Sequence, residues 1–182
     1  MLDISTVPSD SSPTSEMVTG LFRDRESAEC AYQCASNRGY THDHVNVVMS
    51  DDTRQRHFSG STETELGSKA AEGAGIGGAV GGTIGAIAAA VAAVGTSLAI
   101  PGLGLVIAGP IVAALAGAGA GAATGGLVGA LIGWGIPDEH VKRYEAGIKD
   151  GGILMSVKTR SVEDAKALSG EWRKHRGEDV YG

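Results

Sequence analysis

The chain has 182 residues, a formal net charge of -6, two cysteines and only 4% aromatic residues. This acidic balance disfavours a nucleic-acid partner, and two cysteines are too few for a disulfide framework. The length allows one or two small domains, in which large aromatic core residues are scarce.

Residues 1–16 are rich in Ser, Pro and Thr, lack the pattern of a signal peptide, and are expected to form a disordered tail. Residues 17–50 then predict a strand that starts at Met17, a helix with Asp24 as its N-cap, and a β-branched strand that starts at Val45. This strand–helix–strand unit is the expected first half of an α/β domain.

Residues 51–67 are polar and are predicted to be an exposed linker. After them, residues 68–136 predict a Gly/Ala-rich hairpin of two long helices, each long enough to cross a bilayer core. No Asp, Glu, Lys, Arg or His occurs from Gly73 to Pro137.

Glycine recurs at every fourth position in both predicted helices. A step of four residues returns to nearly the same helix face, so each run forms a stripe that permits close packing of two helix backbones. These glycines are the candidate residues for helix packing and oligomerisation: Gly73, Gly77, Gly81, Gly85, Gly117, Gly121, Gly125, Gly129 and Gly133.

The predicted turn between the two helices, at Gly95 to Gly109, is as apolar as the helices themselves. Loop backbone cannot lie bare in lipid, where each unpaired polar group costs several kcal/mol. We therefore expect other protein to cover this turn, most simply other copies of the same chain.

Residues 137–182 predict a second half of the α/β domain. A short amphipathic helix follows Pro137, a strand starts at Ile153, a helix starts at Ser161, and a last short strand starts at Asp179. The expected fold is α+β, a split ferredoxin-like βαβ…βα(β) domain interrupted by the helical hairpin.

The two halves resemble the bacterial heat-induced general stress protein family, whose small α/β domains often contain glycine-zipper insertions. The resemblance depends on Val18 to Phe22, Ala28, Ala31, Gly39-Tyr40, Val45 to Val48, Gly135 to Pro137, Tyr144-Glu145, Gly147-Ile148 and Gly151 to Leu154. It implies a non-enzymatic role in the stress response. The cysteine pair and the apolar turn depart from the family pattern.

Three motifs suggest chemistry, and each has a simpler interpretation. Gly73 to Gly78 matches G-x-G-x-x-G, but polar residues precede it and no acidic residue follows at the required distance, so no cofactor is expected. His42 and His44 flank an Asp and could face one side of a strand, but they have no clear third metal ligand. Cys30 and Cys34 share a helix face and are expected to pack as small apolar residues.

Two functional hypotheses remain, and neither involves an enzyme or a small-molecule substrate. In the first, which the two uncharged segments of bilayer length narrowly favour, the hairpin is embedded in a lipid bilayer and the α/β domain lies at the cytoplasmic face of the inner membrane. Trp134 at the end of the second helix and Lys69, Lys142 and Arg143 beside the hairpin slightly favour this hypothesis. In the second, the protein is a soluble, self-assembling homo-oligomer, such as a cage or filament, with the hairpins buried in its core.

Overall fold

The chain forms an α+β structure, as predicted, built on an antiparallel sheet of six strands. The computed structural model describes residues 17–58, 98–100 (backbone only), 104–110, 112, 131 and 136–182.

The strands are β1 (Met17–Phe22), β2 (Val45–Ser50), β3 (Leu98–Ile100), β4 (Leu105–Ala108), β5 (Ile153–Lys158) and β6 (Glu178–Tyr181). The helices in the described residues are α1 (Arg25–Asn37), α2 (Asp51–Phe58), α3 (Asp138–Lys149) and α4 (Val162–Lys174). Across the sheet the strands follow the order β3-β4-β2-β5-β1-β6.

One face of the sheet is covered by α1 and α4, which share a buried apolar cluster with β1, β2 and β5. Trp172 of α4 is fully buried there and donates its indole N–H to the carbonyl of Ala31 at 3.0 Å. A Cβ at Gly20 would lie 3.0 Å from the Trp172 ring, so the glycine makes room for this side chain. The cluster fixes both helices on the same face.

The opposite face is covered in part by α3, which contributes Val141, Tyr144 and Ile148 to a second apolar cluster. Because both faces are covered, the central strands are almost continuously buried instead of alternating between buried and exposed residues. This is a three-layer arrangement of helices, sheet and helix.

The sequence signals at the helix ends are confirmed. The Asp24 carboxylate accepts from the amide N–H of Ser27 at 2.8 Å and caps α1, and the Ser161 hydroxyl caps α4 by accepting from the N–H of Asp164. Gly39 follows α1 with φ +80°, a conformation that favours glycine. The short C-terminal strand is also present, as β6.

The structure differs from prediction in three places. Residues 51–58 of the expected linker form α2, because the Ser50 hydroxyl accepts from the N–H of Thr53 and the side chains of Thr53 and Phe58 are buried. The expected apolar turn contains β3 and β4. His42 and His44 lie in a 3-10 turn before β2, which does not place them on a strand face as predicted.

Candidate functional site

The candidate functional site is the edge of β2 on the side away from β5. Strands β3 and β4, which together we call the arm (residues 98–100 and 105–108), occupy this edge. β4 pairs antiparallel with β2 over four residue pairs, from Val47↔Ala108 to Ser50↔Leu105. A backbone hydrogen bond from the Asp51 N–H to the Gly104 carbonyl, at 2.7 Å, extends the pairing into the start of α2. The arm is thus a two-stranded extension of the domain's own sheet.

This pairing bears on one premise of the prediction for the apolar turn. We expected its backbone polar groups to be covered by other protein, most simply other copies of the chain, and β4 satisfies part of this hydrogen bonding against β2 of the same chain. Its side chains are buried as well: Val106 lies in the cluster under α1 and α4, while Leu105 and Ile107 lie in the cluster under α3. Strand formation removes the unpaired polar groups that an apolar loop would carry.

Gly109 lets the chain leave β4 close to the start of β2. Its φ is +114°, and a Cβ there would lie 2.5 Å from the carbonyl oxygen of Val45 and 2.8 Å from the Asn46 side chain. Both the conformation and the close approach require glycine. At the other end of β4, Gly104 has φ +59° but nothing within 4 Å of an added Cβ.

Val112 and Leu131 are described residues at the two ends of the predicted second glycine helix. Both are helical and buried, and both belong to the apolar cluster that contains Leu105 and Ile107 of the arm. Ile136, just before α3, belongs to the same cluster and donates its N–H to the carbonyl of Leu131 at 3.3 Å. Both ends of this segment therefore pack on the α+β domain.

The first glycine-rich segment follows α2 in the sequence, and the end of α2 is fixed against α1. Arg25 donates to the carbonyl of His57 at 2.5 Å, and its guanidinium lies 4.9 Å from the centre of the Phe58 ring. Thr53 of the same helix donates its hydroxyl to the carbonyl of Gly151, at 3.2 Å. These contacts hold α2, which precedes the segment, beside α1 and the start of β5.

The candidate glycines themselves, Gly73, Gly77, Gly81, Gly85, Gly117, Gly121, Gly125, Gly129 and Gly133, all lie outside the described residues, as do Lys69, Trp134 and the predicted tail 1–16. The same is true of the G-x-G-x-x-G match.

A row of buried polar side chains crosses the sheet beneath α3. Thr19, Ser156 and Asn46 are register partners on β1, β5 and β2, and Asn46 donates to the Ser156 hydroxyl at 3.2 Å. The Tyr144 hydroxyl donates to the carbonyl of Asp179 at 2.6 Å, which leaves Thr19 as the donor in the 2.7 Å Thr19–Tyr144 contact. Burial raises the pKa of Tyr144 to about 12, so the phenol stays protonated near neutral pH. The row joins α3 to the sheet and to β6.

Cys34 is held in its protonated thiol form by its surroundings on α1. Cys30 and Cys34 are free and partly buried on α1. Burial, together with the neighbouring Glu171 carboxylate, raises the pKa of the Cys34 thiol to about 11. The thiol is the less nucleophilic form, so Cys34 is poorly reactive near neutral pH. Glu171 also accepts a hydrogen bond from Arg38 at 3.0 Å, which links α1 to α4.

The histidine pair has local partners. His44 Nδ1 lies 3.1 Å from the Thr41 hydroxyl, and His42 Nε2 lies 3.3 Å from an Asp43 carboxylate oxygen. Within the described ranges, no group of three or more His, Cys, Asp or Glu side chains is arranged to hold a metal ion.

Among the helices in the described part of the chain, none is long and apolar enough to cross a membrane. Searches against protein-family models, curated proteins and solved structures find no match to this chain.

Proposed function

We propose that the chain is a non-enzymatic protein that self-associates through its glycine-striped segments. A small α+β domain carries these segments. The packing of Val112 and Leu131 in one apolar cluster of the domain carries this proposal, because it ties both ends of a glycine-striped segment to the domain. The stripes then present bare backbone for packing against other protein.

The carrier domain is proposed to be ferredoxin-like. Without the arm, its four strands follow the order β2-β5-β1-β6, and α1 and α4 connect β1 to β2 and β5 to β6 on the same face. Both features agree with a split βαβ–βαβ arrangement. In this interpretation the arm, the glycine-rich segments and α3 are together inserted between the two halves.

The same packing favours the second of the two hypotheses, a self-assembling protein with its glycine stripes buried in protein. A helix that crosses a bilayer once has its ends about 30 Å apart on opposite sides of the membrane. Val112 and Leu131 instead lie in one cluster on one side of the sheet. The membrane-embedded alternative requires the segment to leave this cluster.

A role in the stress response is part of the proposal and depends on the resemblance to the general stress protein family. The non-enzymatic part depends on the same resemblance. We expect the assembly in the cytoplasm.

The test is fractionation of cells that express the full chain without detergent, followed by light scattering of the cytosolic fraction. We expect a large homogeneous particle, and Gly121→Leu or Gly81→Leu should reduce its mass. Gly170→Leu is the matched control, because Gly170 also lies in a helix but has nothing within 4 Å of an added Cβ. Unchanged mass in both stripe variants would refute self-association through the stripes. Recovery in membranes, resistant to salt and alkaline washing, would favour the bilayer alternative.

A further inference from the structure

The β2 edge is a strand-binding site at which four of its six residues have register partners on β4. β2 is paired on one side with β5, which belongs to the body of the domain, and on the other side with β4 of the arm. The arm thus binds by adding strands to the edge of the β2-β5-β1-β6 sheet, a mode in which the ladder supplies affinity and side-chain pockets supply specificity.

The arm's covalent connections to the domain are long. Thirty-nine residues separate Phe58 from β3. On the other side, Val112 follows β4 after three residues and moves with the arm, and eighteen residues separate it from Leu131. Even at the helical rise of about 1.5 Å per residue, these lengths correspond to roughly 58 Å and roughly 27 Å. A domain of about 100 residues has a radius of gyration of about 13 Å. The arm can therefore reach β2 of an adjacent copy as well as β2 of its own.

The two edges of the sheet differ in their protection against added strands. At the β6 side, Glu178 and Asp179 form ion pairs with Arg23 and Arg143, and the β1–β6 register shifts at an irregularity where Asp179 has φ +48°. Charges and bulges are the usual protection of a sheet edge. The arm has neither charge nor histidine anywhere in its sequence.

We propose that copies of the chain exchange arms, so that β4 of one copy pairs with β2 of the next. This inference rests on the proposed self-association, because the glycine stripes would bring the copies together and raise the effective concentration of each arm at its neighbour's β2. The contacts are those already seen within one chain, made between chains, so that Val112 packs in the neighbour's cluster while Leu131 stays in its own. The partner is a second copy of this protein.

Split cysteine pairs across β2 and β4 test the exchange. Both natural cysteines are replaced by serine in the full chain, and one tagged copy carries Val47→Cys while a copy with a different tag carries Ala108→Cys. Val48→Cys and Ile107→Cys form a second split pair. Consecutive antiparallel pairs alternate between the wide and the close geometry, so one of the two has the shorter separation. A single chain with both cysteines of a pair shows which pair can oxidise.

The two tagged copies are co-expressed and oxidised, and non-reducing electrophoresis reports the mixed dimer. Met17→Cys with Lys158→Cys, and Val18→Cys with Val157→Cys, are the matched controls, because these register partners join β1 to β5 within the domain body. We expect mixed dimers from the arm pairs and none from the controls.

Three outcomes would overturn arm exchange. One is the absence of mixed dimers when the single-chain pair oxidises readily; if light scattering still finds an oligomer, the proposed self-association stands without exchange. Another is a monomeric chain, which would overturn the proposed function as well. The third is equal mixed-dimer formation by the control pairs, which would mean that contact between copies is not specific to the arm.

Discussion

Gly109→Ala should detach the arm from β2 at a measurable cost in stability. The residue has φ +114°, and an added Cβ would lie 2.5 Å from the Val45 carbonyl oxygen and 2.8 Å from the Cα of Asn46, both backbone atoms that cannot rotate away. The strained conformation costs about 2 kcal/mol, and overpacking against a buried strand costs about 2 kcal/mol more. We expect the free energy of unfolding to fall by about 4 kcal/mol.

Gly104→Ala separates the two contributions. Gly104 also has a positive φ, +59°, but nothing lies within 4 Å of an added Cβ, so only the conformational cost of about 1–2 kcal/mol remains. Urea denaturation followed by circular dichroism measures both variants. Equal losses would show that the close approach of Gly109 to β2 contributes nothing and that the arm does not pack as described.

Three further predictions concern the domain body. Tyr144→Phe should lower the free energy of unfolding by about 2 kcal/mol, because Thr19 and the Asp179 carbonyl lose a buried partner. The control, Tyr181→Phe at the exposed edge, should change it by less than about 0.5 kcal/mol. Equal effects of the two substitutions in urea denaturation would contradict the buried network. Asp24→Ala should cost about 1 kcal/mol through loss of the α1 N-cap, an effect that Asp24→Asn should largely avoid in the same assay. In a Cys30→Ser background, the rate of Cys34 alkylation should keep rising until about pH 11, because burial and Glu171 raise the thiol pKa to about 11. Adding Glu171→Gln should move the inflection of this rate profile to lower pH. A plateau near pH 9 with and without Glu171→Gln would refute the environment assigned to the thiol.

The Cys34 pKa also fixes the sign of a stability effect at high pH. The folded-state pKa is raised above the ordinary value of 9.0, so the unfolded chain loses the proton first as pH rises. The contribution of this thiol to stability is therefore complete below about pH 9 and is lost between about pH 9 and 11. Chemical denaturation of the wild-type chain and the Cys34→Ser variant should diverge only in that range.

The flanking elements were predictable because their signals are local. Asp24 and Ser161 stand one residue before the helices they cap, and Gly39 follows α1 at the position where a left-handed conformation ends a helix. Hydrogen-bonding side chains at helix ends act over three or four residues, so sequence order is enough to place them.

The arm was missed because its structure depends on a distant partner. The runs from Leu98 to Ile100 and from Leu105 to Ala108 are short, apolar and separated by Pro and Gly, which is also a β-hairpin signal. The glycine repeats on both sides favoured a helical hairpin with a turn in the middle. That β4 pairs with β2, with Val48 opposite Ile107, follows from contacts between residues far apart in the chain.

The buried polar row was also hidden from sequence analysis. Thr19, Asn46 and Ser156 are isolated polar residues in three apolar strands, and each alone resembles an ordinary outward-facing position. Only the registers of β1, β5 and β2 align them beneath Tyr144. A buried hydroxyl without a partner would cost about 1–3 kcal/mol, so the row also opposes a slip in strand register.

The strand order explains why so long an insertion leaves the sheet intact. β2 and β5 are antiparallel neighbours with Met49 opposite Ile153, so the end of one and the start of the other lie at the same end of the sheet. The hydrogen bond from Thr53 to the Gly151 carbonyl closes this junction. Because the entropy of closing a loop grows only with the logarithm of its length, added chain at this junction weakens the β2–β5 pairing little. The junction can therefore hold the glycine-striped segments and the arm while the rest of the sheet keeps its order.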